Sequence, residues 1–309
     1  FHALAASDRA VSGKLVVNNF GAGTANTEFD VLTGIQTAQL GVNSAFRAVR
    51  RNLNSLPRAF ARAGYERFFL HPGYAWYYNR ESVYPFLGID DCIFEDAFGA
   101  EDYKGPTVSD AAFLRVLTAE LDARLQHDTP VFAFSVTIQN HQAYTAQKYG
   151  EVPPAQVSVP LTEAESETLS VYLQGVRDSS EMLAQLAAYL DTVDKPTILV
   201  FFGDHRPALG SVYDALGIST DGLAAFEVPY LVWTNRAFTG SLPTLPARMD
   251  ANYLGAAVYD LAGLSGSGSG SLIVIPELLL QDTIDELDLL LLVELDAVSR
   301  NRSFPRSEE

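Results

Sequence analysis

Five short apolar runs, KLVV (14–17), RFFL (67–70), VFAFSVTI (131–138), TILVFF (197–202) and YLVW (230–233), constrain the fold more than any other feature of this chain. Their length and their β-branched and aromatic content read as buried strands. Between them lie stretches with helical spacing of apolar residues, roughly 40–64, 109–126, 162–192 and 249–263. Strands alternating with helices of ten or more residues predict an α/β fold with a mainly parallel central sheet and helices on both faces. In such sheets ligands gather at the carboxyl ends of the strands, so residues just past each run are the first candidates for a site.

Charge narrows the partners. The 309 residues carry 38 acidic against 21 basic side chains, a net charge of −17. That balance opposes contact with a phosphate backbone, so nucleic acid is not an expected partner, and an anionic substrate needs a local cation or metal. The single cysteine, Cys92, excludes an internal disulfide framework and a Cys-rich zinc site. It reads as a small buried hydrophobe. No apolar run reaches the roughly 18 to 20 residues that span a bilayer. The chain opens at Phe1 without Met or a signal-like segment, and is expected to be an excised piece of a longer protein. SGSGSGS (265–271) reads as a flexible linker. The expected organisation is a domain over 1–264, the linker over 265–271, and an acidic, Leu-rich tail over 272–309.

Three of the five histidines lie just past predicted strand ends. In TILVFFGDHRP a strand runs into Gly203 and then presents Asp204 and His205, a carboxylate and an imidazole suited to a divalent metal such as Mn²⁺, Zn²⁺ or Mg²⁺. The same residues also read as a turn with a capping Asp and a surface His. VFAFSVTIQNHQAY repeats the pattern with Asn140 and His141. FFLHPGYAWYYNRESVYPFLGID places His71 after a third strand, followed by Tyr77, Tyr78, Asn79 and Arg80. Arg80 offers a planar fork of donors for phosphate oxygens and the rings offer a wall for a ligand, or the stretch is an aromatic packing loop. In FGAGTANTEF a glycine-rich loop meets a helix, so Thr24 is either a nucleophile facing free backbone N–H groups or, with Asn26, a cap for a helix beginning near Glu28. His2 and His127 read as surface residues.

Four blocks in order, GAGTANTEFDVLTG, HPGYAWYYNRESVYPFLGID, TIQNHQAY and FFGDHRP, resemble the lipoteichoic acid synthase family of the sulfatase/alkaline phosphatase superfamily, over about residues 12–264. The resemblance implies a sulfatase/alkaline phosphatase-like fold. It implies that Thr24 is both nucleophile and metal ligand and that Asp204 and His205 complete a strand-end metal pair, most often for Mn²⁺, with Mg²⁺ or Zn²⁺ as alternatives. His71, Arg80 and His141 then hold a glycerol-phosphate group, and Tyr78 lines its pocket. The implied reaction moves glycerol phosphate from a phosphatidylglycerol-type lipid, through a phosphothreonine, to a cell-envelope polymer or glycan. It takes place on the outer face of the cell membrane, to which preceding membrane helices tether the domain.

The chain departs from this pattern at one ligand. The family's first metal ligand is a glutamate at the end of an N-terminal strand, and Phe1 to Asn19 contains none. Glu277, Glu294 and Asp296, at the ends of strand-like runs in the tail, are candidate substitutes, or the tail is simply an amphipathic Leu-rich extension. The modified Cys or Ser signature of sulfatases proper is not matched, since Cys92 lies in DDCIFED. A related phosphodiesterase, a phosphoethanolamine transferase and an inactive glycerol-phosphate-binding fragment remain alternatives.

Overall fold

The apolar runs pair into two sheets. In chain order the strands are β1 (Ala10–Val16), β2 (Glu66–Leu70), β3 (Asp91–Ile93), β4 (Tyr103–Lys104), β5 (Thr107–Val108), β6 (Val131–Ser135), β7 (Ile198–Phe202), β8 (Glu227–Thr234) and β9 (Arg248–Asp250). One sheet is parallel throughout, in the order β3-β2-β6, with Phe69 opposite both Cys92 and Phe134. The other, β7-β8-β1-β9, is mixed: β8 runs antiparallel to both neighbours and β9 parallel to β1. β4 and β5 form a small hairpin. The computed structural model describes residues 1–40, 44–236 and 244–264, so the linker and tail expected at 265–271 and 272–309, with Glu277, Glu294 and Asp296, lie outside the described residues.

Eight α-helices accompany these strands among the described residues: α1 (His2–Ala5), α2 (Thr24–Thr33), α3 (Leu56–Arg62), α4 (Arg80–Leu87), α5 (Asp110–Leu125), α6 (Glu163–Asp191), α7 (Val212–Ala215) and α8 (Leu254–Leu261). Side chains alternate across a strand, and here the two sets go to different helical layers. Phe68 and Leu70 of β2, with Leu231 and Trp233 of β8, pack against Phe113, Leu117, Met182 and Leu186 of α5 and α6. Phe69 turns the other way, to Phe29, Phe60 and Tyr84 of α2, α3 and α4. Tyr230 and Val232 meet Val31 of α2 and Leu254 and Ala257 of α8. Helices therefore cover both faces. None among the described residues is long and apolar enough to cross a membrane.

Long helices obey their sequence signals. α6 opens on a capping box in which Thr162 Oγ1 accepts from the Glu165 N–H and Glu165 accepts from the Thr162 N–H. The helix expected over 40–64 is a correction: among the described residues there, only Leu56–Arg62 is α-helical, with one 3₁₀ turn at Ala45–Arg47. Ser55 caps α3 and Pro57 sits in its first turn, fixing the start late. Phe46, Val49 and Leu53 have helical spacing, but they bury into the core from irregular backbone or a 3₁₀ turn.

Candidate functional site

Gly21 and Gly23 decide where Thr24 sits. Both have left-handed backbone, φ 74° and 101°, and a Cβ at Gly23 would meet the Asn19 side chain at 2.7 Å. The tight loop ends with Gly23 as N-cap of α2 and Thr24 as the first helical residue. No side chain caps this helix, so the expectation that Thr24 or Asn26 serves as cap is corrected. Asn26 lies inside the helix, donating to Asn19 Oδ1 and accepting from the Ala45 N–H. The positive end of the α2 dipole favours negative charge beside the Thr24 hydroxyl.

The loop is stitched to the turn after β7. Phe20 bridges Arg206, and the Gly21 N–H donates to the Arg206 carbonyl at 2.9 Å. Thr24 Oγ1 then donates to Asp204 Oδ2 at 2.6 Å, and Thr27 Oγ1 to the Asp204 carbonyl at 2.6 Å. His205 holds its Nδ1 2.8 Å from the Arg206 carbonyl and its Nε2 3.2 Å from Asp204 Oδ2. A ring that donates from Nδ1 presents a lone pair at Nε2, here facing a carboxylate oxygen. Two acceptors meeting beside a hydroxyl make a set into which a divalent cation fits. The fit extends to Thr24, Asp204 and His205. Among the described residues no cluster of three His, Cys, Asp or Glu side chains is arranged for a metal, so a further carboxylate is not among them.

A cavity of about 190 Å³ opens next to this corner, and Thr24, His71, Tyr78, Arg80 and His141 all line it. Five residues from three separate segments thus share one cleft. Arg80 is 1% exposed, and its Nε and Nη2 are both spent on Glu28, whose Oε2 also accepts from the Tyr84 hydroxyl at 2.6 Å. Burial alone would push the Glu28 carboxyl up, but Arg80 and the Tyr84 hydroxyl outweigh it and hold the group below the usual carboxylate range. Nη1 of Arg80 is buried with no protein partner, which leaves it as the donor for a guest in the cleft. Tyr78 stands over the guanidinium, ring centroid 5.1 Å from Cζ. It gets there through a left-handed turn at Tyr78 and Asn79, φ 57° and 60°, a conformation costing a non-glycine residue about 1 kcal/mol or more.

His71 is 4% exposed, with Nδ1 2.9 Å from the Val136 carbonyl. Burial, and then Arg80, push its pKa down to about 4, so at neutral pH Nδ1 donates to Val136 and Nε2 is an acceptor. Gly73 keeps that nitrogen open, because a Cβ there would lie 2.4 Å from it. His141 is exposed at the cleft edge on a clamped loop. Tyr149 and Tyr144 hydroxyls donate to the Gln139 and Asn140 carbonyls at 2.7 and 3.0 Å, and Lys148 Nζ donates to the His141 carbonyl. Sequence reasoning missed Glu28, Tyr84 and Lys148 as parts of the site. Glu28 had a signal, since it lies one helical turn beyond Thr24 and shares its face. Cys92 is half-buried, its thiol pushed up to about 12 by burial, and His2 and His127 are exposed.

Two buried groups oppose each other in their response to pH. His71, neutral down to about 4, binds fewer protons folded than unfolded between there and 6.5, so its contribution is present above 6.5 and lost as pH falls. Asp30 is pushed up to about 7 by burial, so it binds more protons folded and destabilises as pH rises through that range. Across their full ranges the two shifts are worth about 3 kcal/mol for His71 and about 4 kcal/mol for Asp30. The expected result is nearly flat stability between pH 4.5 and 6.5 in the wild type from this pair. In Asp30→Asn, the His71 contribution makes stability rise with pH over that window by about 2 kcal/mol, read from denaturant midpoints. Parallel profiles in the two proteins would refute this balance.

The sulfatase family profile matches residues 3–264. A Rhizobium meliloti protein, provisionally assigned to cyclic β-1,2-glucan modification, is 32% identical over 238 residues, which cover 72% of this chain and 36% of that protein. The chain thus spans about a third of the length of the curated relatives it matches. Among solved structures, the lipoteichoic acid synthase LtaP of Listeria monocytogenes superposes with TM-score 0.64 at 17% identity, over 83% of this chain and 64% of that one. The Streptococcus pyogenes phosphoglycerol transferase GacH, in complex with sn-glycerol-1-phosphate, superposes with TM-score 0.60 at 18% identity, over 93% of this chain and 79% of that one. These structural likenesses establish the fold. With the family profile running from the first turns to the last described helix, the chain belongs to the sulfatase family and shares the fold of LtaP and GacH.

Proposed function

We propose that residues 1–264 are the catalytic domain of a phosphoglycerol transferase, joined by 265–271 to the acidic tail 272–309. The observation that carries this reading is the single cleft shared by the Thr24 hydroxyl, the spare Arg80 donor and the neutral His71 acceptor. Arg80 Nη1 suits a phosphoryl oxygen, and His71 Nε2 suits a glycerol hydroxyl, which donates where a phosphate oxygen cannot. His141 closes the far side and Tyr78 walls the head group. Thr24, Asp204 and His205 would hold a divalent cation, with Mn²⁺ our first choice, and when bound it supplies charge neutralisation and a lowered hydroxyl pKa.

Thr24 Oγ then forms a bond to phosphorus as the bond from phosphorus to the diacylglycerol oxygen breaks, and the threonine proton ends on the departing diacylglycerol hydroxyl. In the second half, a hydroxyl of a glycerol-phosphate polymer or glycan attacks the phosphothreonine, and Thr24 regains a proton from it. The lipid source sets the proposed location, the outer face of the cell membrane. The test incubates the chain with phosphatidylglycerol or phosphatidylethanolamine and Mn²⁺, and measures diacylglycerol. Release from phosphatidylglycerol, stopped by EDTA, is the expected result. Preference for phosphatidylethanolamine would instead make it a phosphoethanolamine transferase. The incomplete carboxylate set among the described residues favours one second reading, a fragment that binds glycerol phosphate without turnover. Glycerol-phosphate binding with no release from either lipid would establish it.

A further inference from the structure

Three large aromatic side chains stand in water side by side at the mouth of the cleft. Tyr74, Trp76 and Tyr77 are 56%, 64% and 44% exposed. Tyr74 and Trp76 lie nearly parallel, 11° between planes with centroids 5.5 Å apart, and Tyr77 meets Trp76 edge-on at 5.8 Å. Tyr74 and Tyr77 also line the cleft itself, so the patch is continuous with the site. Clustered exposed aromatics on a folded domain mark a place where something else covers them.

The loop is fixed rather than loose. The Tyr77 and Asn79 N–H groups donate to the Tyr74 and Trp76 carbonyls at 3.0 and 2.9 Å, and the Glu81 N–H donates to the Ala75 carbonyl at 3.2 Å. The left-handed pair Tyr78–Asn79 closes it onto Arg80. A rigid display of rings with only two side-chain torsions each loses little freedom on binding. Polar groups flank the rings: the Glu95 N–H anchors to the Gly73 carbonyl, and the Glu95 carboxylate accepts from the exposed Tyr103 hydroxyl, close enough to Tyr74 for the two phenols to influence each other.

We propose that Tyr74, Trp76 and Tyr77 form a platform for pyranose rings of a neutral glycan acceptor, presented at the mouth of the cleft. The inference rests on the transferase reading, in which an acceptor hydroxyl must reach the phosphothreonine. A pyranose ring has a face of C–H bonds and a rim of hydroxyls. The C–H face matches the electron-rich faces of the rings, and the hydroxyl rim finds acceptors in Glu95 and the phenols. Charge argues against an anionic bilayer as the occupant. Glu81, just past the loop, and Asp96 and Glu101, in the segment that carries Glu95 and Tyr103, are exposed, and the chain carries −17 overall, whereas docking on anionic lipid calls for lysines and arginines. A charged, anionic glycan is disfavoured on the same ground.

The chain offers its own reporter. It has two tryptophans, Trp76 and Trp233, and Trp233 is fully buried, so acrylamide quenching of intrinsic fluorescence reports Trp76. We would titrate the full chain carrying Thr24→Ala with a neutral β-linked glucose hexasaccharide, and separately with vesicles of phosphatidylcholine and phosphatidylglycerol. The expected result is saturable shielding of Trp76 by the oligosaccharide, about tenfold weaker in Tyr74→Ala, a surface change that keeps the reporter. Shielding by vesicles alone would assign the patch to a lipid surface and overturn the proposal, as would absence of shielding by either. Because Thr24 is already removed, a loss of lipid turnover for other reasons leaves this measurement unaffected. Conversely, phosphatidylglycerol turnover by the wild type without oligosaccharide shielding in the Thr24→Ala chain would sink the platform alone.

Discussion

Thr24→Ala is expected to lower diacylglycerol release from phosphatidylglycerol by at least about 10³-fold if the proposed transfer runs through Thr24, the scale on which removal of a nucleophile is felt. The protein stays folded, because the change costs one part-buried hydrogen bond to Asp204, a net loss of about 1 kcal/mol. Thr24→Ser separates the hydroxyl from the rest of the side chain. The γ-methyl of threonine restricts χ1 and helps aim Oγ1 at Asp204, so serine keeps activity but loses about tenfold through its freer rotamers. Mass spectrometry of the peptide around FGAGTANTEF after brief incubation with phosphatidylglycerol should carry one glycerol-phosphate adduct in the wild type and none in the alanine variant. Wild-type turnover in Thr24→Ala would remove the residue from the chemistry and the covalent route with it.

The residues that made the site legible in the sequence are those whose position is set by a strand end. β7 is an unbroken apolar run, and Asp204 and His205, just past its last residue, are thereby assigned to the edge of a sheet by the sequence itself. His71 was readable for the same reason, since RFFL ends at Leu70. His141 was placed less well: β6 stops at Ser135, and the residues to His141 form a loop held by Tyr144, Lys148 and Tyr149. Nothing local announces a clamp made by side chains downstream in the same loop. β3 escaped because DCI is too short to show a period. The left-handed turn at Tyr78 and Asn79 could not be read at all, since tyrosine is a poor residue for that region and only surrounding packing enforces it.

Glu28→Ala should be the most destabilising single change near the site. Removing the carboxylate leaves Arg80, its side chain 2% exposed, as a buried cation without a counterion, a loss of about 3 to 5 kcal/mol by the usual cost of breaking such a pair. For a domain of this size that lowers the melting temperature by about 10 °C. Tyr84 would lose its acceptor at the same time, adding an unsatisfied hydroxyl. The pH dependence has a definite sign. The folded carboxyl lies below its unfolded value near about 4.3, so this stabilisation is fully present above that value and fades as pH falls through the folded pKa. Glu28→Ala should therefore converge on the wild type in strong acid. The double variant Glu28→Leu/Arg80→Met tests why the pair exists. If the pair contributed net stability, the double variant would be as weak as the single one. We expect it to recover most of the lost stability, because two apolar side chains of similar volume avoid the cost of burying two charges. It should nonetheless bind no glycerol phosphate, since Arg80 is the guanidinium that lines the cleft among the described residues. Recovery of stability without recovery of binding would mean that Glu28 is there to hold Arg80 aimed and charged in a place where an arginine would otherwise not stay.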